Sequence, residues 1–235
     1  MREWTIGELI SQSFEDFKKN MGVWIAFTFA IFVISLVVEF MTPDGGSIVI
    51  SIISFIINSF IGMVFVRLGL AAAKGENIDT QGLFADLHLF IPYLILSLIT
   101  TVAVGFGTVL FIVPGIYLAL AFIVAQYALI DKNMKCIPAL KESMNLTTGH
   151  KWHLLGYVMV LIALNIGGAM LLLVGLLVTI PLTILSTAHL YLILSGAEEM
   201  VDADEVSGEI KEEISVIATP QTDNDTTANT TPEEK

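Results

Sequence analysis

Two stretches of this 235-residue chain, 87–130 and 152–197, contain no Asp, Glu, Lys or Arg. Their absence excludes the surface of a soluble domain, where charge recurs every few residues. As one straight helix, either stretch would extend roughly 65 Å at about 1.5 Å per residue, twice the roughly 30 Å hydrocarbon core of a bilayer. Each is therefore expected to fold back as a membrane hairpin. Cysteine is nearly missing too: Cys136 stands alone, so no disulfide forms within the chain. There is no phosphate loop, HExxH, GxSxG or pair of intramembrane aspartates, so a membrane hydrolase or ATP-driven pump has no visible equipment. A basic footprint for nucleic acid is lacking as well.

What is present is apolar. Hydrophobic residues make up 55% and charged residues 14%, with a mean hydropathy of +0.80. The net charge of −12 is concentrated at one end. From Glu198 onward twelve acids face Lys211 and Lys235, while the preceding body has eleven acids and nine bases. Three regions follow: an amphipathic helix over 1–20, a transmembrane domain over 21–197 and an acidic tail over 198–235. Residues 218–235 contain Thr, Asn, Asp, Pro and Glu with no aromatic side chain, a composition of disorder.

Six spans are expected, in three hairpins. The first runs over 21–40 and turns at Thr42-Pro43-Asp44-Gly45-Gly46, residues suited to tight turns. The second covers 48–73. The third starts near Phe90 and the fourth ends near Ile130, with their turn between Gly105 and Gly115. The fifth starts at Leu154, turns near Gly175, and the sixth reaches Leu194. Four spans plus re-entrant segments is the alternative, because 105–115 is unusually apolar for a loop. All nine bases of the body fall on one side in the six-span arrangement, and the opposite turns hold none. By the positive-inside rule that side is cytoplasmic, together with both termini. Trp4, Trp24 and Trp152 sit at the same boundary. The first span then serves as an uncleaved insertion signal.

The segment 5–20 reads as an amphipathic helix opened by a capping box, Thr5 with Glu8. Ile6, Ile10, Phe14 and Phe17 form its apolar stripe with Leu9 beside it, while Glu8, Gln12, Glu15, Asp16 and Lys19 face away. Such a helix lies in the headgroup plane or packs on the cytoplasmic loops. Ile137, Leu140 and Met144 mark a second, weaker interfacial helix ending near Gly149. Ser13-Phe14 and Ser143-Met144 occupy similar places before their hairpins, a hint of internal repetition. The fold class is thus an all-α polytopic membrane protein with interfacial amphipathic helices and a disordered acidic tail.

Polar groups inside spans are the places to look for function, because hydrocarbon makes them costly. Arg67 can snorkel to the cytoplasmic face and meet a lipid phosphate or an anionic substrate. Asn58, Gln126, Asn165 and His189 lie deeper and either line a passage or hydrogen-bond between helices. Glu39 reaches headgroups or water. His150 and His153 share a helical face, but no carboxylate or Cys stands at ligand spacing, so neither metal nor cofactor is expected. Gly167, Gly168 and Ala163 suit close helix packing.

Val113-Pro114-Gly115-Ile116-Tyr117-Leu118, Ala139-Leu140-Lys141-Glu142-Ser143, Leu146-Thr147-Thr148-Gly149-His150-Lys151-Trp152 and the run from Gly175 to Pro181-Leu182 occur in that order. This pattern resembles bacterial integral-membrane proteins similar to the membrane domain attached to some glycerophosphodiester phosphodiesterases. The resemblance implies a six-helix domain of a bacterial inner membrane and carries no catalytic residue with it. Two functions stand open. One is a non-enzymatic interaction or envelope-support module whose partners are membrane lipids or another membrane protein. The other is a small transporter or channel using Asn58, Gln126, Asn165 and His189.

Overall fold

The computed structural model of the chain describes residues 4–41, 48–76, 87–171 and 175–196. The turn at 42–46, the connector 79–86, the side chain of Glu39 and the tail 198–235 lie outside the described residues. Every described element is a helix, and the charge-free runs are the reason: in lipid the backbone has no water to bond, so it satisfies itself. In chain order these are α1 (Ile6–Lys19), α2 (Met21–Met41), α3 (Ile48–Ala73), α4 (Phe90–Leu110, after a 3-10 turn Leu87–Leu89), α5 (Ile112–Ala121), α6 (Ala125–Asp131), α7 (Cys136–Thr147), α8 (Lys151–Met170) and α9 (Leu176–Ser195). Five segments are each long and apolar enough to cross a membrane: α3, 87–110, 112–131, α8 and α9. The pair α1 and α2, bent by 92° where they meet, would make a sixth if taken as one span. The protein is membrane-embedded.

Four of these helices pack lengthwise. In the α8–α9 hairpin, Tyr157 meets Thr187, Asn165 meets Thr183 and Gly168 meets Thr179. Beside it, Gly69 of α3 lets Ile184 of α9 approach so closely that an added Cβ would lie 2.8 Å from it. Trp24 and Phe27 of α2 pack on Phe65 of α3, at centroid distances of 6.5 and 5.8 Å. The hub is α9, in contact with α1, α2, α3, α6, α7 and α8.

The second hairpin departs from this order. Its turn is a single extended residue, Phe111, and Gly115 sits so tightly on α4 that a Cβ there would lie 2.6 Å from the Thr108 backbone. The fourth span is not continuous: it breaks at Phe122-Ile123-Val124, between α5 and α6. The break and the inward face of α7 are coupled, because the Ser143 hydroxyl donates 2.7 Å to the Ala121 carbonyl at the break. A broken helix is tolerated at this depth where protein satisfies it.

This hairpin also crosses α8–α9 steeply. The Tyr127 hydroxyl donates to the Ile184 carbonyl, and Lys151 stands 3.2 Å from the centre of the Tyr117 ring. Were α5–α6 to run alongside α9, Tyr117 would lie about 15 Å from Tyr127 in the direction of Leu176. Lys151 lies the other way, about 9 Å beyond Tyr157 on the Ser195 side. The gap exceeds what a lysine and a tyrosine bridge, so α5 must turn across the hairpin.

The two amphipathic helices present unexpected faces. In α1 the buried side chains are Leu9, Ser13 and Phe17, while Phe14 is 46% exposed and Ile6 and Ile10 only half-buried. Asp16, expected to face away, points into the bundle. In α7 the buried stripe is Cys136, Ala139, Leu140, Ser143 and Thr147, with Ile137 and Met144 turned out. Ser13 and Ser143 stand 130 positions apart, each buried, each with buried residues four before and four after. Accordingly α1 rests on α9 and α7 rests on α6. The three hairpins close alike, at the left-handed residues Gly75, Asn133 and Gly196.

Candidate functional site

Ionisable side chains at the end of the bundle that carries the bases form a belt of cross-helix pairs. At its centre the His189 ring on α9 lies 2.8 Å from the Asp16 carboxylate on α1, and Lys19 bonds the other Asp16 oxygen at 2.9 Å. Both partners are largely enclosed. Burial pushes the Asp16 carboxyl up, yet the hydrogen bonds and charges of His189 and Lys19 outweigh it and hold it below its ordinary value. The capping box that starts α1 fixes the geometry: the Thr5 amide and hydroxyl donate to Glu8 at 3.3 and 2.7 Å.

A second node joins three helices. Asp131, the last residue of α6, accepts the Tyr191 hydroxyl of α9 at 2.7 Å and pairs with Lys74 just beyond α3. One residue on, Lys132 reaches Glu142 of α7 at 2.6 Å. His88 and Asn133 meet at 3.3 Å. The enclosed carboxylates Asp16 and Asp131 therefore each have a partner on another element, the condition under which buried charge is tolerable.

Deeper lies a ladder of hydroxyls. On α9, Thr187 donates to the Thr183 carbonyl and Thr183 to the Thr179 carbonyl, each at 2.8 Å. Tyr157 of α8 reaches Ser186 and Thr187 at 3.1 Å, and Asn165 donates to Thr183 at 2.9 Å. Gln126 bonds Ser97 across the second hairpin at 3.3 Å. Asn58 is exposed and bonds the Ser54 carbonyl of its own helix at 2.8 Å. Arg67 is half-buried on α3.

So the sequence-derived positions Asn58, Gln126, Asn165 and His189 each meet a different partner rather than one another. The belt partners Asp16, Lys74, Asp131 and Tyr191 were not singled out by sequence. Asp16, Lys74 and Asp131 carry only the signal of charge near helix ends and Tyr191 carries none, because the pairs join positions 57 to 173 apart. Trp24, placed at the boundary by sequence, is fully buried, and its Nε1–H finds no hydrogen-bond partner among the described residues. Trp152 is 85% exposed, and Trp4 lies edge-on to His153 at 6.2 Å. Burial pushes the Cys136 thiol up, away from the reactive thiolate. Among the described residues no three His, Cys, Asp or Glu side chains converge as a metal site would require.

The motif glycines have structural work. Gly115 closes the second hairpin and Gly175 the third, where an added Cβ would lie 2.6 Å from the Gly168 Cα. Gly149, at φ +90°, makes the corner between α7 and α8. No protein-family model, curated protein or solved structure matches the chain.

Proposed function

We propose that this is a non-enzymatic integral protein of a bacterial inner membrane, its basic end and both termini cytoplasmic, acting as an interaction or envelope-support module. Kinship with the membrane domains attached to glycerophosphodiester phosphodiesterases belongs to the same proposal. The observation that carries it is the division of labour at the basic end. Inward charges are engaged in holding helices together, and the outward faces of α1 and α7 pair apolar side chains with lysine. On α7 these are Ile137, Lys141 and Met144; on α1 they are Phe14 and Lys18, whose ammonium lies 5.1 Å from the Phe14 ring centre. Apolar anchors beside lysines fit the headgroup region of an anionic leaflet. Arg67 belongs to the same side and would add a phosphate contact.

The transporter or channel reading is the weaker one, since Asn58, Gln126, Asn165 and His189 bond four separate partners. A photo-crosslinker placed at Met144 in native membranes tests the proposal. Crosslinks to anionic lipid, or to one stoichiometric membrane protein, support it. Their absence, with solute flux from proteoliposomes that is abolished by Asn165→Leu, overturns it.

A further inference from the structure

The side chains at the tip of the second hairpin ask nothing of water. Phe106, Val109, Leu110, Phe111, Ile112 and Val113 are between 64 and 86% exposed. The one hydroxyl there, on Thr108, donates to the Val104 carbonyl of its own helix at 2.8 Å. Backbone demand is small as well. The Phe111 amide donates to Gly107 at 3.0 Å, the Gly115 amide to Phe111 at 3.3 Å, and Pro114 has no N–H to satisfy. Two amides of this one-residue turn are thus met within the hairpin and a third is absent, which lowers the cost of placing it away from water.

The direction of the hairpin agrees. Tyr117, in the middle of α5, takes the ammonium of Lys151 over its ring, and Lys151 opens α8 at the basic end. The middle of α5 therefore lies beside the basic end of the lengthwise helices instead of halfway to the opposite surface. The Ser143 bond to Ala121 at the helix break holds α5 in that place.

We infer that the hairpin formed by α4, α5 and α6 does not cross the bilayer. It enters and leaves on the basic side, and its tip, residues 106–113, is surrounded by lipid acyl chains. The crossing helices are then α2, α3, α8 and α9, and every base keeps the side assigned to it. Such a hairpin adds its cross-section to one leaflet only. The inference is independent of whether the belt engages lipid or protein.

Spin labels test it in the full chain, reconstituted in phosphatidylethanolamine–phosphatidylglycerol vesicles with Cys136→Ser. Val109→Cys and Phe111→Cys are at exposed positions, so neither disturbs a packed contact. Glu76→Cys, exposed just beyond α3, serves as the water-facing control. Both tip labels should collide freely with oxygen, and with a water-soluble nickel chelate on the order of tenfold less than the control does. Nickel collision equal to the control's would mean that the tip emerges and the hairpin crosses, overturning the inference. Low collision with both reagents, with dipolar broadening between labels, would make a second copy the occupant and overturn it equally. Should Phe111→Cys fail to fold, Val109→Cys and Val113→Cys give the same reading.

Discussion

The two halves of the lengthwise helices are both largely apolar and differently packed. On the basic side, Leu68 and Leu70 of α3, Leu154 and Tyr157 of α8, and Leu190 to Leu192 of α9 are almost wholly enclosed. On the other side, Ile48 of α3 is 79% and Met170 of α8 82% exposed. Hydrophobicity cannot account for the contrast, because lipid tails are as apolar as leucine. Helices associate in lipid through close backbone approach and interhelical hydrogen bonds. Those devices are concentrated on the basic side: Asp16 with His189, Asp131 with Tyr191 and Lys74, Tyr157 with Ser186. Among the described residues the far side keeps the Asn165–Thr183 hydrogen bond and the Gly168–Gly175–Thr179 contact that closes α8 on α9.

Breaking the glycine contact should have the largest effect. Gly175→Leu forces a side chain into the Gly168 backbone and should destabilise by about 3 kcal/mol, read as loss of the monodisperse species on heating in detergent. Acid should loosen the basic side next. The folded Asp16 carboxyl sits below its ordinary value of 3.8, so its contribution is complete above that value and lost as pH falls through the lower folded one. Thermal stability should stay level from neutral to about pH 4 and fall below it, whereas Asp16→Asn should start lower and lack that step.

A smaller change, about 1 kcal/mol, is expected for Tyr157→Phe, which deletes a buried hydroxyl facing Ser186 and Thr187. Chemical denaturation of the variant in micelles measures it. The smallest belongs to adjacent glycines: a Cβ at Gly167 meets nothing within 4 Å, while one at Gly168 meets Thr179 at 2.7 Å. Gly167→Ala should be neutral or stabilise by up to about 1 kcal/mol, and Gly168→Ala should destabilise in the same melting assay.

The same contrast explains what could be read from sequence. Charge-poor apolar runs and their ends mark the helices closely, because burying unpaired charge in lipid is costly over any register; the second span over 48–73, with Arg67 alone in it, coincides with α3. The inward faces of α1 and α7 were legible only in part: Leu9, Phe17 and Leu140 of the apolar stripes are buried, but other stripe residues turn outward and a serine takes the inward place. Ser13 and Ser143 show it, buried where Phe14 and Met144 are exposed. Gly167 was grouped with Gly168 because composition does not say which glycine faces a neighbour. The break at 122–124 contains no Pro or Gly and is satisfied by Ser143, a partner 22 positions away from Ala121. Of the site, His189 stood out as a polar residue in a span; its partner Asp16, 173 positions distant, left no local pattern.

That polar pairing, more than apolar burial, closes the basic side is tested most directly by a double-mutant cycle on Asp16→Ala and His189→Ala in the reconstituted protein. A coupling of about 2 kcal/mol or more is expected, in the range of enclosed charge pairs. A coupling below about 0.5 kcal/mol, the level of a solvent-exposed pair, would contradict the account.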